Sequence, residues 1–150
     1  MYRDPVGHQI KTLSNLMRRS MDKTFGHTRD KATLMHTWII GFVQSREDKG
    51  IDTFQKDIEE EFSINRSTTS EMLKLMCKKG MIERVSVDHD ARLKKIVLTK
   101  QSQMFNKKVE NELIRIHNQL VQGLSEEEIH EFLRITDRLI ENMKEEKQRG

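Results

Sequence analysis

The sequence predicts a mainly α-helical chain with one small β-hairpin. Three observations lead there. Apolar residues recur at three- and four-residue steps through both outer thirds of the chain. The period changes once, just after Gly80, to two short runs rich in β-branched residues. Hydrophobic residues make up 35% and charged residues 34% of the 150, a balance poor in core-forming side chains. A helical protein of this composition closes its core best by pairing with a second copy, so a homodimer is expected.

From Val6 to Phe25 the stripe Val6, Ile10, Leu13, Leu16, Met17 and Met21 marks one face of an amphipathic helix. The polar stretch Gly26-His27-Thr28-Arg29-Asp30 interrupts it. A second helix, over about residues 31–45, is dense enough in apolar residues to be buried. Gly50 to Thr53 then supplies a turn, a short extended piece and a cap. An acidic helix from Phe54 to Phe62 keeps Phe54, Ile58 and Phe62 on one face. After a Ser63-Ile64-Asn65 turn, the run Asn65-Arg66-Ser67-Thr68 is rich in residues whose side-chain oxygens cap helix N-termini. The helix that follows spans Arg66 to Lys79, turns Thr69, Met72, Leu73 and Met76 inward, and stops at Gly80. These two helices and their short connection form a helix-turn-helix.

Met81 to Val87 and Lys95 to Thr99 read as strands flanking a polar loop, Asp88 to Lys94. A helix-turn-helix followed at once by a basic hairpin is a winged helix, and the combination is more specific than either part. Beyond it, Met104, Phe105, Val109, Leu113, Ile116, Leu120 and Val121 form a long stripe ending at Gly123. Ser125 and Glu128 have capping-box spacing. They open a final helix carrying Ile129, Phe132, Leu133, Thr136, Leu139, Ile140 and Met143. The expected organisation is one domain over residues 1–150. Residues 31–99 form a winged-helix lobe in it, and residues 1–30 and 100–150 form a helical dimerisation lobe.

Net charge is only +3, but its distribution is uneven. Between Arg66 and Lys95 there are eight basic and four acidic residues, a local +4 that leaves the remainder slightly negative. Such a basic strip is the usual electrostatic footprint of a nucleic-acid contact. The longest apolar run, Trp38 to Val43, is far short of a membrane span. The N-terminal MYRDPVGH lacks the pattern of a signal peptide, and the single cysteine, Cys77, excludes an internal disulfide framework. An intracellular, cytoplasmic protein is expected. No nucleophile motif, phosphate-cradling loop or acid/base pair emerges, so an enzyme is not expected.

The stretch VDHDARLKKIVLT, from Val87 to Thr99, opens with three adjacent metal-ligand types, Asp88, His89 and Asp90. A calcium loop begun at Asp88 needs glycine sixth and glutamate twelfth, where this chain has Leu93 and Thr99. His36 and His117 lack partners at zinc spacing. Neither a metal nor another cofactor is expected.

The matched pattern is Gln55-Lys56-Asp57-Ile58, Ile64-Asn65-Arg66-Ser67-Thr68, Lys79-Gly80-Met81-Ile82-Glu83-Arg84, Asp90-Ala91-Arg92 and Leu98-Thr99. In order and spacing it resembles the MarR family (multiple antibiotic resistance regulators) of bacterial winged-helix transcription factors. The helical arms match over nearly the whole chain, and Asp-x-Arg followed by Leu-Thr is the most specific mark. Two departures stand out. Lys100-Gln101-Ser102 replaces a glycine common shortly after Leu-Thr, and Glu59-Glu60-Glu61 is unusually acidic for the first helix of the motif. The resemblance implies a homodimer with interleaved first and last helices. It further implies binding to a pseudo-palindromic operator in double-stranded DNA, and repression relieved by a small, often phenolic or lipophilic, effector.

Readout in the major groove needs side chains near the start of the recognition helix. Asn65, Arg66, Ser67, Thr68 and Ser70 are the candidates, with Lys74 meeting the backbone one turn on. Asn65 and Ser67 have capping as their alternative role. In the wing, Arg92 is the candidate for minor-groove insertion, with Asp90 as its brace and Arg84, Lys94 and Lys95 as phosphate ligands. Trp38 and Phe42, with His36, are candidates for an effector pocket, core packing being the alternative. Cys77 lies beside Lys78 and Lys79 and is either a redox sensor or an inert, partly buried thiol. Two rival functions share the fold: a protein–protein interaction module, and a metal- or thiol-sensing regulator.

Overall fold

The computed structural model describes residues 3–25 and 34–149. Among these the order is α1 (Pro5–Phe25), α2 (Leu34–Asp48), α3 (Gln55–Phe62), α4 (Arg66–Lys78), β1 (Ile82–Val87), β2 (Asp90–Leu98), α5 (Lys100–Leu120) and α6 (Glu126–Arg149). The chain forms two compact units, Met1–Leu113 and Ile114–Gly150, with the division inside α5. The expected polar break at 26–30, the start of the second helix at 31–33 and the side chain of Phe105 lie outside the described residues.

In the first unit the core gathers where α2, α3, α4 and the base of the hairpin meet. It comprises Ile39, Ile40 and Val43 of α2, Ile58 of α3, Leu73 and Met76 of α4, and Met81, Ile82, Ile96 and Leu98. The wide apolar circumference of α2 explains why it is the buried helix: Leu34, His36, Thr37, Ile39, Ile40 and Val43 are all withdrawn from solvent. Phe42 at its rim packs edge-on against Phe62 of α3, with ring centroids 5.7 Å apart.

Polar side chains lock this core at its edges. Arg46 at the end of α2 donates to Thr53 Oγ1 at 3.0 Å and to the Asp52 carbonyl at 2.8 Å. Its guanidinium also pairs with Asp57 of α3 at 3.4 Å and lies 5.4 Å from the centre of the Phe42 ring. The Thr53 carbonyl accepts from Ile96 N–H at 2.7 Å, so the segment before α3 adds a single bridge to the hairpin. Glu47 Oε1 takes the Leu98 N–H at 3.1 Å. Together these bonds occupy backbone groups at the inner end of β2 that would otherwise be orphaned.

The hairpin is antiparallel, with Ile82 opposite Leu98 and Ser86 opposite Lys94, and an irregularity at Ser86–Val87. Its base is buried and its tip exposed. The expected loop over Asp88 to Lys94 is therefore too long: residues 90–94 belong to β2, with Asp90 opposite Val87 and Lys94 opposite Ser86, and only Asp88 and His89 turn. The reason is physical. Ala91 and Leu93 alternate with Asp90, Arg92 and Lys94, but water lies on both faces and three charges in five residues give the run the composition of a loop.

Gly80 closes α4 with φ of +74°, the left-handed region that glycine enters without strain. The Thr99 hydroxyl then donates to the Gly80 carbonyl at 2.6 Å and accepts from Ser102 N–H at 3.1 Å. The Ser102 hydroxyl bonds the Met81 carbonyl. The end of α4 is thus tied to the first turn of α5, which starts at Lys100, ahead of the first stripe residue, Met104.

In α1, Met21 is fully buried while Val6, Ile10, Leu13 and Leu16 are exposed. In the second unit, the capping box at the start of α6 is formed. Glu128 N–H donates to Ser125 Oγ at 3.1 Å, and Ser125 N–H donates to Glu128 Oε1 at 3.0 Å. Along α6, Phe132, Leu133, Ile140 and Met143 are exposed in the single chain.

Candidate nucleic-acid interface

The N-terminus of α4 is capped by Asn65, whose extended backbone (φ −69°, ψ 161°) lets its side-chain oxygen accept from Thr68 N–H at 2.8 Å. Thr69, buried behind it, donates its hydroxyl to the Asn65 carbonyl at 2.8 Å. With capping assigned to Asn65, the side chains of Arg66, Ser67, Thr68 and, further along, Lys74 stand exposed on the helix surface. The unsatisfied N–H groups of this first turn add a partial positive charge that favours an approaching anion.

Ser70 is half-buried, and its Oγ accepts from Gln55 Nε2 of α3 at 2.9 Å. The same nitrogen reaches the Arg66 carbonyl at 3.4 Å, and Gln55 Oε1 accepts from Arg84 of β1 at 3.4 Å. One α3 side chain therefore brings Arg66, Ser70 and Arg84 together. Reading the sequence for periodicity gave Gln55 no functional role, because its three partners lie eleven to twenty-nine residues away.

At the wing tip, Asp90 Oδ1 accepts from the Arg92 backbone N–H at 2.9 Å and lies 4.0 Å from Arg92 Nε. The carboxylate shapes the chain locally, while the Arg92 side chain is 98% exposed. In the hairpin register Arg84, Ser86 and Lys94 share one face, and Lys94 Nζ donates across the strands to Ser86 Oγ at 3.3 Å. Lys95 lies on the other face, half-buried and paired with Asp52 at 3.7 Å. The four wing cations are thus split: Arg84, Arg92 and Lys94 are exposed, and Lys95 braces the base of the hairpin.

The remaining candidates are dispersed. Trp38 and Phe42 share one face of α2 at a four-residue step; Trp38 is exposed and Phe42 is packed between Phe62 and Arg46. His36 points elsewhere on the helix and is buried. Burial, and secondarily the charge of Lys79, lower its pKa from 6.5 to about 4, so it is neutral at physiological pH. Cys77 is partly buried against the core. Asp88 and His89 are exposed at the turn. Among the described residues no three His, Cys, Asp or Glu side chains converge, and no helix is long and apolar enough to cross a membrane.

A recognition helix and a cation-bearing hairpin, braced against each other by α3, define a winged helix-turn-helix. A sequence model described as MarR family matches residues 33–93. Over those residues the chain is similar to the MarR family, and its fold is that of the family's transcription regulators. Among solved structures, the transcription regulator MarR from Oenococcus oeni PSU-1 is 28% identical, with a TM-score of 0.75 over 91% of this chain and 98% of that one. S. aureus MepR, solved in complex with DNA, is 20% identical, with a TM-score of 0.79 over 91% of this chain and 97% of that one. The PcaV transcriptional regulator from Streptomyces coelicolor, solved with its natural ligand, is 16% identical, with a TM-score of 0.77 over 91% and 92%. No curated protein matches in sequence.

Proposed function

We propose that the chain is a dimeric, sequence-specific DNA-binding transcription regulator of the cytoplasm, a repressor released by a small lipophilic or phenolic effector. The observation that carries this reading is the grouping of Arg66 and Ser70 with Arg84 through Gln55. It sets base-reading groups beside a backbone-gripping cation on adjoining elements. The fold shared with MepR, which was solved with DNA, supports it.

In this reading α4 enters the major groove, with Asn65, Arg66, Ser67, Thr68 and Ser70 toward base edges and Lys74 toward the backbone. Arg92 reaches the adjacent minor groove, Asp90 holds it in register, and Arg84 and Lys94 meet phosphates. Lys95 joins them if it exchanges Asp52 for a phosphate. The uncovered apolar stripes of α1 and α6 support a helical dimerisation lobe made of residues 1–30 and 100–150, with residues 31–99 as the DNA-binding lobe. A two-fold dimer reads a pseudo-palindrome. For release, an effector at Trp38 and Phe42 would compete with the Phe42–Phe62 contact, while His36, buried on another part of α2, would respond only through the packing of that helix. Phe62 ends α3, the helix that carries Gln55, so displacing it would disturb the grouped DNA ligands.

The test is a salt titration of binding to duplex fragments from around the protein's own coding region. Log affinity is expected to fall linearly with log salt, with a slope near −0.9 for each phosphate neutralised. Affinity indifferent to salt would sink the reading and favour a protein partner.

A further inference from the structure

Gln55 meets partners of fixed polarity. The Arg66 carbonyl can only accept a hydrogen bond and the Arg84 guanidinium can only donate one. The orientation of the Gln55 amide is therefore set by chemistry: its NH2 must face Arg66 and its oxygen must face Arg84, as the 3.4 Å distances on each side have it. Reversing the amide would set acceptor against acceptor and donor against donor.

A consequence follows for Ser70. Its Oγ lies 2.9 Å from the same NH2 and so receives a hydrogen there. A helical serine commonly turns its own hydrogen back to the carbonyl four residues earlier, which here is Arg66. That oxygen has two lone pairs, one taken by the Ser70 N–H in the helix ladder of α4 and one facing the Gln55 amide. With both engaged, the Ser70 hydrogen is directed away from α3 and outward from the helix.

We infer that Gln55 is a specificity-determining residue that presents Ser70 to DNA as a hydrogen-bond donor, selecting a base edge rich in acceptors. This rests on the DNA-binding reading above. Guanine N7 and O6, or thymine O4, are favoured at the position Ser70 meets, and the amino group of cytosine is disfavoured. Gln55 touches no base itself; it acts through the polarity it imposes on Ser70, while its oxygen keeps Arg84 alongside.

Selection of bound sequences from a randomised duplex pool tests this, using the full-length chain as wild type, Gln55→Glu, Ser70→Ala and the double variant. Glutamate keeps the reach of glutamine and the pairing with Arg84 but replaces the donor by an acceptor. Ser70 must then turn its hydrogen toward the carboxylate and offer lone pairs to the DNA. The expected result is a motif in which one position per half-site loses its guanine or thymine preference by roughly fivefold, the worth of about one hydrogen bond. The other positions hold. Ser70→Ala flattens the same position, and adding Gln55→Glu to it changes nothing more. Thermal melting of each variant checks that the fold survives.

A Gln55→Glu motif identical to wild type would overturn the inference, whether or not the added charge lowers affinity evenly over all positions. A change that persists without the Ser70 hydroxyl would do the same. Failure of the wild type to enrich any motif would overturn the DNA-binding reading itself, and this inference with it.

Discussion

Acidification should destabilise this protein through His36. The pKa of the buried imidazole, about 4, lies below the 6.5 of an exposed histidine because burial and the nearby Lys79 disfavour its charge. Between those two values the unfolded chain binds a proton that the folded chain refuses. Stability therefore rises with pH across this window; the His36 contribution is complete above about 6.5 and is lost as pH falls toward 4. At roughly 1.4 kcal/mol per pH unit of separation, the full loss amounts to about 3 kcal/mol, a large share of a small domain's stability.

Urea unfolding of wild type and His36→Leu, at pH 7.5, 6.5, 5.5 and 4.5 and at one fixed protein concentration, isolates this contribution. Fixing the concentration removes the mass-action effect of subunit association. Other groups titrate alike in both proteins, so the difference between them carries the His36 signal. Wild type should lose about 2–3 kcal/mol relative to the variant on going from pH 7.5 to 4.5. Parallel stability curves would refute the reasoning, since His36 would then titrate as it does in the unfolded chain.

Other expectations concern the recognition helix, the wing and the helical arms. Asn65→Ala removes the cap on Thr68 N–H and should cost about 1 kcal/mol in chemical denaturation; an unchanged midpoint would mean the cap contributes nothing. Arg92→Ala should leave stability unchanged, because the side chain is 98% exposed, yet make the salt slope of DNA binding shallower by about 0.9 if Arg92 replaces one counterion. A slope equal to wild type would mean that Arg92 displaces no counterion from the DNA. Phe132→Glu places a charge on the exposed stripe of α6 and should shift the protein from dimer to monomer in light scattering. An unaltered mass would mean that this face does not pair.

Most of the architecture was legible because apolar periodicity and turn chemistry report directly on it. Ile58, Leu73 and Met76 fell at helical spacing and are buried; Asn65 and Gly80 had cap chemistry and occupy the caps. The length of β2 was not legible, since Asp90, Arg92 and Lys94 give its outer part the look of a charged loop, and Ala91 and Leu93 between them stay exposed. Long-range polar contacts were equally hidden. Nothing local in Arg46 announces that it ties Asp52, Thr53 and Asp57 together, or in Gln55 that it joins three elements. Lys94 and Lys95 looked equivalent as adjacent cations. Strand alternation sends one to Ser86 and the other to Asp52, a difference that needed the register.

DNase footprinting of the wild-type protein on the DNA upstream of its own coding region tests the central claim most directly. A dimeric regulator protects two half-sites related by an approximate two-fold axis, with centres about one helical turn, roughly 10 base pairs, or a whole multiple apart. Uniform protection without half-sites, or none at salt concentrations where competing duplex is also released, would contradict that claim.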